Sequence, residues 1–515
     1  MSRWRRHRGA LVELAFHVSV FVATWLLARA LGSGLDGAWD SAFYLDGARH
    51  LARGDGYVSA ITASDQVGFG PITRWAPGFS LLMTVPVALG MPVLDAASWV
   101  LTASYAAACT LVGVIGMRVL GRVNWLGSLL AVVAFAMLPS TRRALDLLLS
   151  DLPLATFALL ASCLSIRLAR ARRPSWALRI GLGVCFGAIF LVRYAGALLL
   201  PGLVLATFWT MRVRSRSFWL ACWQLAPTCA ILVITVAVWI ARNLKFGPEP
   251  FGERFFAEGV LSEQLHSAWL GMFSWLRQLE DPQHLGPTAP AIRWLPRIAL
   301  LSALALAFLA WRPVKRSLIL LGLPAIAYLV LMACAASRVD FDGIDNPRFW
   351  VATWPSCFLI ILMLALRARR RRLLPLQLLA GAMIALVLVV FAPDAVRRLE
   401  GAPILRGLLS ARWMQASLAL PPPETCRLFV MDPRPFMLHR ALGPASGIPL
   451  SLAEFDAVAP LHRSLCLATL NHRLTLSRSA EQRRSQQTAV VDALLAQSRI
   501  VKTAEQFGVT VYRVR

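Results

Sequence analysis

Apolar runs long enough to cross a bilayer recur along most of this chain, and that recurrence limits the fold more than any other feature. They lie at about residues 11–31, 98–119, 124–139, 151–168, 177–192, 195–211, 218–240, 294–311, 317–336, 348–366 and 373–391. Several fall short of the ~20 residues that a spanning helix needs, so their ends are soft. With 57% hydrophobic residues and a mean hydropathy of +0.60, the chain reads as an all-α polytopic membrane protein of about 11–13 helices. Arg5, Arg6 and Arg8 precede the first run, which lacks a small-x-small cleavage pattern, so that run reads as a retained anchor.

Segment 77–93 is apolar but broken by Pro77, Pro86 and Pro92, and charge decides how to read it. If it does not span and the N-terminus is cytoplasmic, five basic groups fall inside. These are Arg118/Arg122, Arg167/Arg170/Arg172/Arg173, Arg212/Arg214/Arg216, Arg312/Lys315/Arg316 and Arg367/Arg369–Arg372. If it spans, all five move outside. The first arrangement obeys the positive-inside rule, so 77–93 reads as interfacial or re-entrant. Loops 32–97, 140–150, 241–293 and 337–347 then lie outside, together with the tail.

The net charge of +26 does not imply nucleic acid, because the basic excess sits in these short clusters between apolar runs. Seven of the nine cysteines lie in or beside apolar runs, where Cys acts as a small hydrophobe. Cys426 and Cys466 lie in the tail, where a disulfide is open to them in an oxidising compartment.

The first outside loop is dense in function-bearing residues. It opens with Asp40-Ser-Ala-Phe-Tyr-Leu-Asp-Gly-Ala-Arg-His-Leu51, and Ser41–Ala52 suits a helix with Asp40 as its N-cap. Ala42, Leu45, Ala48, Arg49 and Ala52 share one face, and Gly54 and Gly56 mark the end. The loop continues through Arg74-Trp-Ala-Pro-Gly-Phe79. Further on, Ser150-Asp-Leu-Pro-Leu154 opens a helix, with Ser150 or Asp151 suited to cap it. Leu191-Val-Arg-Tyr-Ala-Gly196 makes a tight turn, where Arg193 either snorkels or meets a phosphate. Asp340-Phe-Asp-Gly-Ile-Asp-Asn-Pro-Arg-Phe-Trp350 carries an Asp-x-Asp pair and Arg348. No cofactor is certain from these residues; the Asp-x-Asp pair leaves a divalent metal open.

These motifs, in this order, resemble the GT-C membrane glycosyltransferases, especially bacterial relatives of the protein O-mannosyltransferases and the aminoarabinose lipid A transferases. The resemblance covers about residues 10–370 in layout, with motif matches at 38–57, 74–82, 148–157, 191–196 and 346–355. Asp40 matches the first acid of the family's usual pair, and Ser41 stands where the second would be. The resemblance implies a GT-C-like domain over 1–392 whose first extracytoplasmic loop, 32–97, is catalytic. It also implies a small extracytoplasmic α/β domain over 393–515. Strands are expected at Arg427–Met431, Ile500–Thr503 and Val509–Val514, and helices at Pro433–Arg440 and Ala489–Gln497.

The implied activity is inverting transfer of a sugar from a polyprenyl-phosphate donor to an acceptor hydroxyl, at the outer face of a bacterial inner membrane. The acceptor is a lipid, a glycan or a protein; membrane lipid is a partner and nucleic acid is not. A phosphate leaving group needs cations to receive charge, and the acceptor hydroxyl needs a carboxylate to take its proton. That assigns Asp40 as general base, with Asp151 orienting the acceptor or sharing that role. Arg348, Arg193 and Arg74 are assigned to the donor phosphate. The rival readings are a lipid-linked sugar transporter or flippase, and a degenerate GT-C fold that binds lipid without catalysis. A transporter would place charge within helices near the midplane and commonly carry paired repeats. Here the acids cluster outside and no repeat is visible.

Overall fold

The computed structural model describes residues 2–32, 39–59, 61–62, 70–120, 125–171, 174–252, 260–272, 311–338, 347–370, 427–430, 445–447, 452–458, 465–470, 478–506 and 509–514. The chain divides into two units. One comprises Met1–Ser33, Trp99–Asp146 and Ser150–Glu400; the other comprises Gly34–Ser98, Leu147–Leu149 and Gly401–Arg515.

The first unit is helical. Its described elements are α1 (Ser2–Leu31), most of α4 (Val93–Leu120), α5 (Trp125–Met137), α6 (Pro139–Asp146), α7 (Asp151–Arg170), α8 (Trp176–Val192), α9 (Leu200–Ser215), α10 (Phe218–Asn243), α11 (Leu261–Met272), α12 (Trp311–Ala336) and α13 (Trp354–Arg370). Short 3-10 turns cover Tyr194–Leu198 and Pro347–Trp350. Among the described residues, six helical stretches are long and apolar enough to cross a membrane: Leu11–Leu31, Val93–Leu120, Asp151–Arg170, Tyr194–Ser215, Phe218–Asn243 and Ser317–Ala336. The expected spans at 294–311 and 373–391 lie outside the described residues.

Loop 140–150, expected as a plain connection, instead holds α6, bent 54° from α5. Pro139 explains the break: it has no N–H to continue α5, yet its fixed φ suits the first turn of a new helix.

Without water, helices in a membrane gain from close backbone approach, and small residues permit it. Gly183 and Gly187, one turn apart on α8, face Ile231 and Thr235 of α10; a Cβ on either would lie 2.9 Å from those side chains. Gly202 of α9 does the same against Pro324 of α12, where a Cβ would approach Pro324 Cα to 2.6 Å. Helix hydroxyls satisfy themselves by bonding back one turn, as Thr24 does to Val20 O (2.7 Å), Thr207 to Leu203 O (2.7 Å) and Thr235 to Ile231 O (2.8 Å).

The second unit joins the first loop to the tail. The loop contributes α2 (Trp39–Arg53), β1 (Val58–Ser59), β2 (Ile61–Thr62), β3 (Gly70–Pro71) and α3 (Gly78–Ala88). At 11 residues, about 16 Å, α3 is too short to span, and it packs on α2. The tail adds β4 (Arg427–Val430), β5 (Ala445–Gly447), α14 (Leu452–Val458), β6 (Leu465–Leu470), α15 (Arg478–Ala496), β7 (Ile500–Gln506) and β8 (Val509–Val514).

These strands make a six-stranded sheet in the order β2-β5-β4-β6-β8-β7. The first four run parallel, while β8 and β7 are antiparallel to their neighbours. Its core is Phe455, Leu465, Leu467, Val490, Val491, Leu494 and Ile500. One strand therefore comes from the loop: Ile61 pairs with Ala445 and Thr62 with Ser446. The expected helix Pro433–Arg440 lies outside the described residues, and α15 begins well before the expected Ala489. Cys466 on β6 is disulfide-bonded, and Cys426 lies outside the described residues.

Candidate functional site

The loop unit holds Asp40 and Arg74. The helix begins at Trp39, so Asp40 lies inside the first turn of α2 and is not its N-cap. Its negative charge suits the unpaired N–H groups of that turn. Asp40 is half-buried, whereas Ser41–Ala48 is buried throughout; α2 is therefore enclosed on more than the one face its spacing suggested. The ring of Phe43 stacks on Trp75 at 3.8 Å between centroids, and the Arg74 guanidinium lies 5.4 Å from the Trp75 ring. Trp75 thus sets Arg74 beside the helix that carries Asp40.

Ser41, in the place of the family's second acid, is buried and donates its hydroxyl to Leu148 O at 2.7 Å. An ionised carboxylate there has no proton to donate and would face a carbonyl oxygen.

Hydrogen bonds lock the rest of α2. Ser80 Oγ donates to Tyr44 O (2.8 Å), and Ser59 Oγ to Asp46 Oδ2 (2.8 Å). His50 is buried between two acids, with Nδ1 2.9 Å from Asp55 Oδ2 and Nε2 3.8 Å from Asp46 Oδ1. Burial holds the Arg49 guanidinium below its usual range while Asp46 opposes the shift; it stays charged at neutral pH. Gly54 and Gly56 end the helix at φ +84° and +90°, a backbone region that favours glycine.

The spanning unit gathers Asp151, Arg193 and Arg348. Asp151 is the first residue of α7 and Ser150 its N-cap, but neither side chain makes the expected cap; Asp151 instead pairs with Arg193. The Arg193 Nη1 to Asp151 Oδ1 distance is 3.0 Å, with side-chain exposures of 11% and 2%. A pair this deep is costly to break from either side. Arg193 stands in extended backbone just before the 3-10 turn Tyr194–Leu198. That turn is fixed by Tyr194, whose hydroxyl accepts from Trp239 Nε1 at 2.7 Å and from Asn243 Nδ2 at 3.4 Å.

Phe349 joins Arg193 to Arg348: each guanidinium lies 5.0 Å from its ring centroid. Arg348 is itself buried on the 3-10 turn Pro347–Trp350, and Trp350 meets Tyr328 of α12 edge-on at 5.9 Å. Helix α6, with buried Arg142, packs on that same turn.

The structure thus brings three of the five expected site residues into one buried cluster, while Asp40 and Arg74 lie in the loop unit. Sequence reading missed Phe349, Tyr328 and the Asp46–His50–Asp55 group. Of these, only the i, i+4 spacing of Asp46 and His50 on a helix gave a usable signal. Asp340 and Asp342 lie outside the described residues. Among those described, no group of three His, Cys, Asp or Glu side chains could hold a metal.

The described elements define a polytopic helical membrane protein with a small sheet-bearing domain. The solved structures share this fold. ArnT from Cupriavidus metallidurans matches in its apo state with TM-score 0.56 and 16% identity over 98% of both chains. The same protein bound to undecaprenyl phosphate matches with TM-score 0.57 and 15% identity over 97% of both. No family model and no curated protein matches the sequence. The chain therefore shares the fold of ArnT, and at this identity the likeness is one of fold alone.

Proposed function

We propose that the chain is an integral membrane glycosyltransferase that moves a sugar from a polyprenyl-phosphate donor to an acceptor hydroxyl on the extracytoplasmic face. The observation that carries this reading is the full-length likeness to ArnT bound to undecaprenyl phosphate, a carrier lipid ending in the leaving group discussed above. The buried cluster supports it, because guanidiniums in a low-dielectric site receive phosphate charge strongly. The disulfide at Cys466 supports an oxidising compartment for the tail.

In the proposed reaction the acceptor oxygen attacks the anomeric carbon with inversion. Its proton passes to the Asp40 carboxylate, the bond from the anomeric carbon to the phosphate oxygen breaks, and polyprenyl phosphate leaves with the electron pair. Arg348 and Arg193 receive the developing charge, with Arg74 a further cation for the phosphate. Asp151 holds Arg193 in its turn.

The test is transfer from radiolabelled polyprenyl-phosphate sugars into membranes holding wild type or Asp40→Asn. Label incorporated by wild type and lost in the variant is expected. A carrier that binds but transfers from no donor would point to a lipid-binding fold without catalysis, or to a transporter.

A further inference from the structure

Four buried polar atoms without partners lie on elements of the spanning unit that pack on one another. Ser140 Oγ, Thr141 Oγ1, Asp151 Oδ2 and the Tyr328 hydroxyl are all buried and have no hydrogen-bond partner among the described residues. Native proteins leave few such groups, and each calls for an explanation.

Local chemistry shows why these hydroxyls are not satisfied as others in the unit are. The carbonyl one turn before Ser140 belongs to Ala136; it accepts from the Tyr105 hydroxyl at 2.9 Å, and Ser140 Oγ does not share it. The 54° bend between α5 and α6 carries Met137, the matching residue for Thr141, out of line. Tyr328 is wholly buried, with its ring against Trp350, and lies within the electrostatic reach of both Arg193 and Asp151. Helix α6 packs on the turn that carries Arg348. The elements that carry the unsatisfied hydroxyls therefore pack against those that carry the cations assigned to the donor phosphate.

We propose that Ser140, Thr141 and Tyr328, with Asp151 Oδ2, form the subsite for the donor's sugar, and that this sugar is an uncharged, polyhydroxylated hexose. The inference rests on the transferase reading and deepens it. Neutral hydroxyls on the protein match neutral hydroxyls on a ligand, each able both to donate and to accept. Asp151 Oδ2 can only accept, which suits a sugar O–H aimed at it. The source is the donor and not the acceptor, because a donor sugar stands one ester linkage from the phosphate that the neighbouring guanidiniums would hold. A site built to bond hydroxyls rejects a ligand that lacks them, since its own polar groups then stay unpaired.

The experiment measures binding to the full-length protein in lipid nanodiscs by native mass spectrometry. The probes are undecaprenyl phosphate and its mannosyl, glucosyl and galactosyl esters. At least one ester is expected to bind about tenfold more tightly than the bare carrier, the gain of about one good hydrogen bond. Tyr328→Phe, which keeps the ring against Trp350, and Thr141→Val should each erase most of that preference. Both should leave bare-carrier affinity within about twofold. Bare carrier binding as tightly as every ester would overturn the subsite while leaving the carrier reading intact, and so would a preference that survives both substitutions. Failure of every carrier to bind would remove both readings.

Discussion

The two units treat buried polar groups in opposite ways. In the loop-and-tail unit the buried hydroxyls and acids around α2 answer one another: Ser41 to Leu148 O, Ser59 to Asp46, Ser80 to Tyr44 O and His50 to Asp55. Among the described residues, every buried side-chain polar atom without a partner lies in the spanning unit, and four of them are carried by elements packed around the Arg193–Arg348 cluster. A closed network fixes a single conformation, whereas an open one waits for something to complete it. In the proposed reading, the difference separates the scaffold that aims Asp40 from the surface that would meet a ligand.

The contrast can be broken most directly by removing the tail. A chain ending at Glu400 leaves β2 without β5, its partner in the sheet. Limited proteolysis should then cut near Ile61–Thr62 in the truncated protein and spare that bond in the full chain. Equal protection of both would show that the loop closes without the tail.

Arg193→Ala should have the largest effect of any point change. It strands Asp151, 2% exposed, as a lone buried carboxylate, at a cost of about 3–5 kcal/mol. Thermal melting in detergent reads the loss, and adding Asp151→Asn should restore part of it.

The closed and open networks should respond with opposite sign to loss of a hydroxyl. Ser59→Ala removes one hydrogen bond to the buried Asp46 Oδ2 and should destabilise by about 1–3 kcal/mol. Ser41→Ala removes the donor to Leu148 O and belongs in the same range. Tyr328→Phe deletes a hydroxyl that has no partner in the absence of ligand, and should be neutral or stabilising by up to about 1 kcal/mol. Chemical unfolding of the ligand-free protein distinguishes these cases; a destabilised Tyr328→Phe would mean that the hydroxyl already has a use in the resting protein.

The smallest effect belongs to a site in neither network. Ser217 caps α10 by accepting from Leu220 N at 3.3 Å, so Ser217→Ala should cost about 0.5–1 kcal/mol and leave transfer unchanged.

Much of the architecture was legible because membrane helices announce themselves by length and hydropathy. The spans from Asp151, Phe218 and Ser317 stand where the apolar runs put them. What the sequence hid was set by tertiary competition. Asp151 looked like a cap because capping is local, but Arg193, more than 40 residues away, took its carboxylate. Ser41 looked like a lost acid until its bond to Leu148 O showed a hydroxyl at work. Helix α6 hid because Pro139 reads as a breaker, although it opens a helix as readily as it closes one. The pairing of β2 with β5 could not be read at all, since two residues carry no periodicity.

That last pairing sets a clock on biogenesis. Ile61 and Thr62 leave the ribosome early, and their strand partner follows only after the whole spanning region has been made. The loop that bears Asp40 must wait, its sheet edge open, until the tail arrives on the same side of the membrane. Contacts so distant in sequence close slowly, and the unfinished edge invites mispairing meanwhile. Closure of the loop's own strand thus comes only after the spanning region has been made.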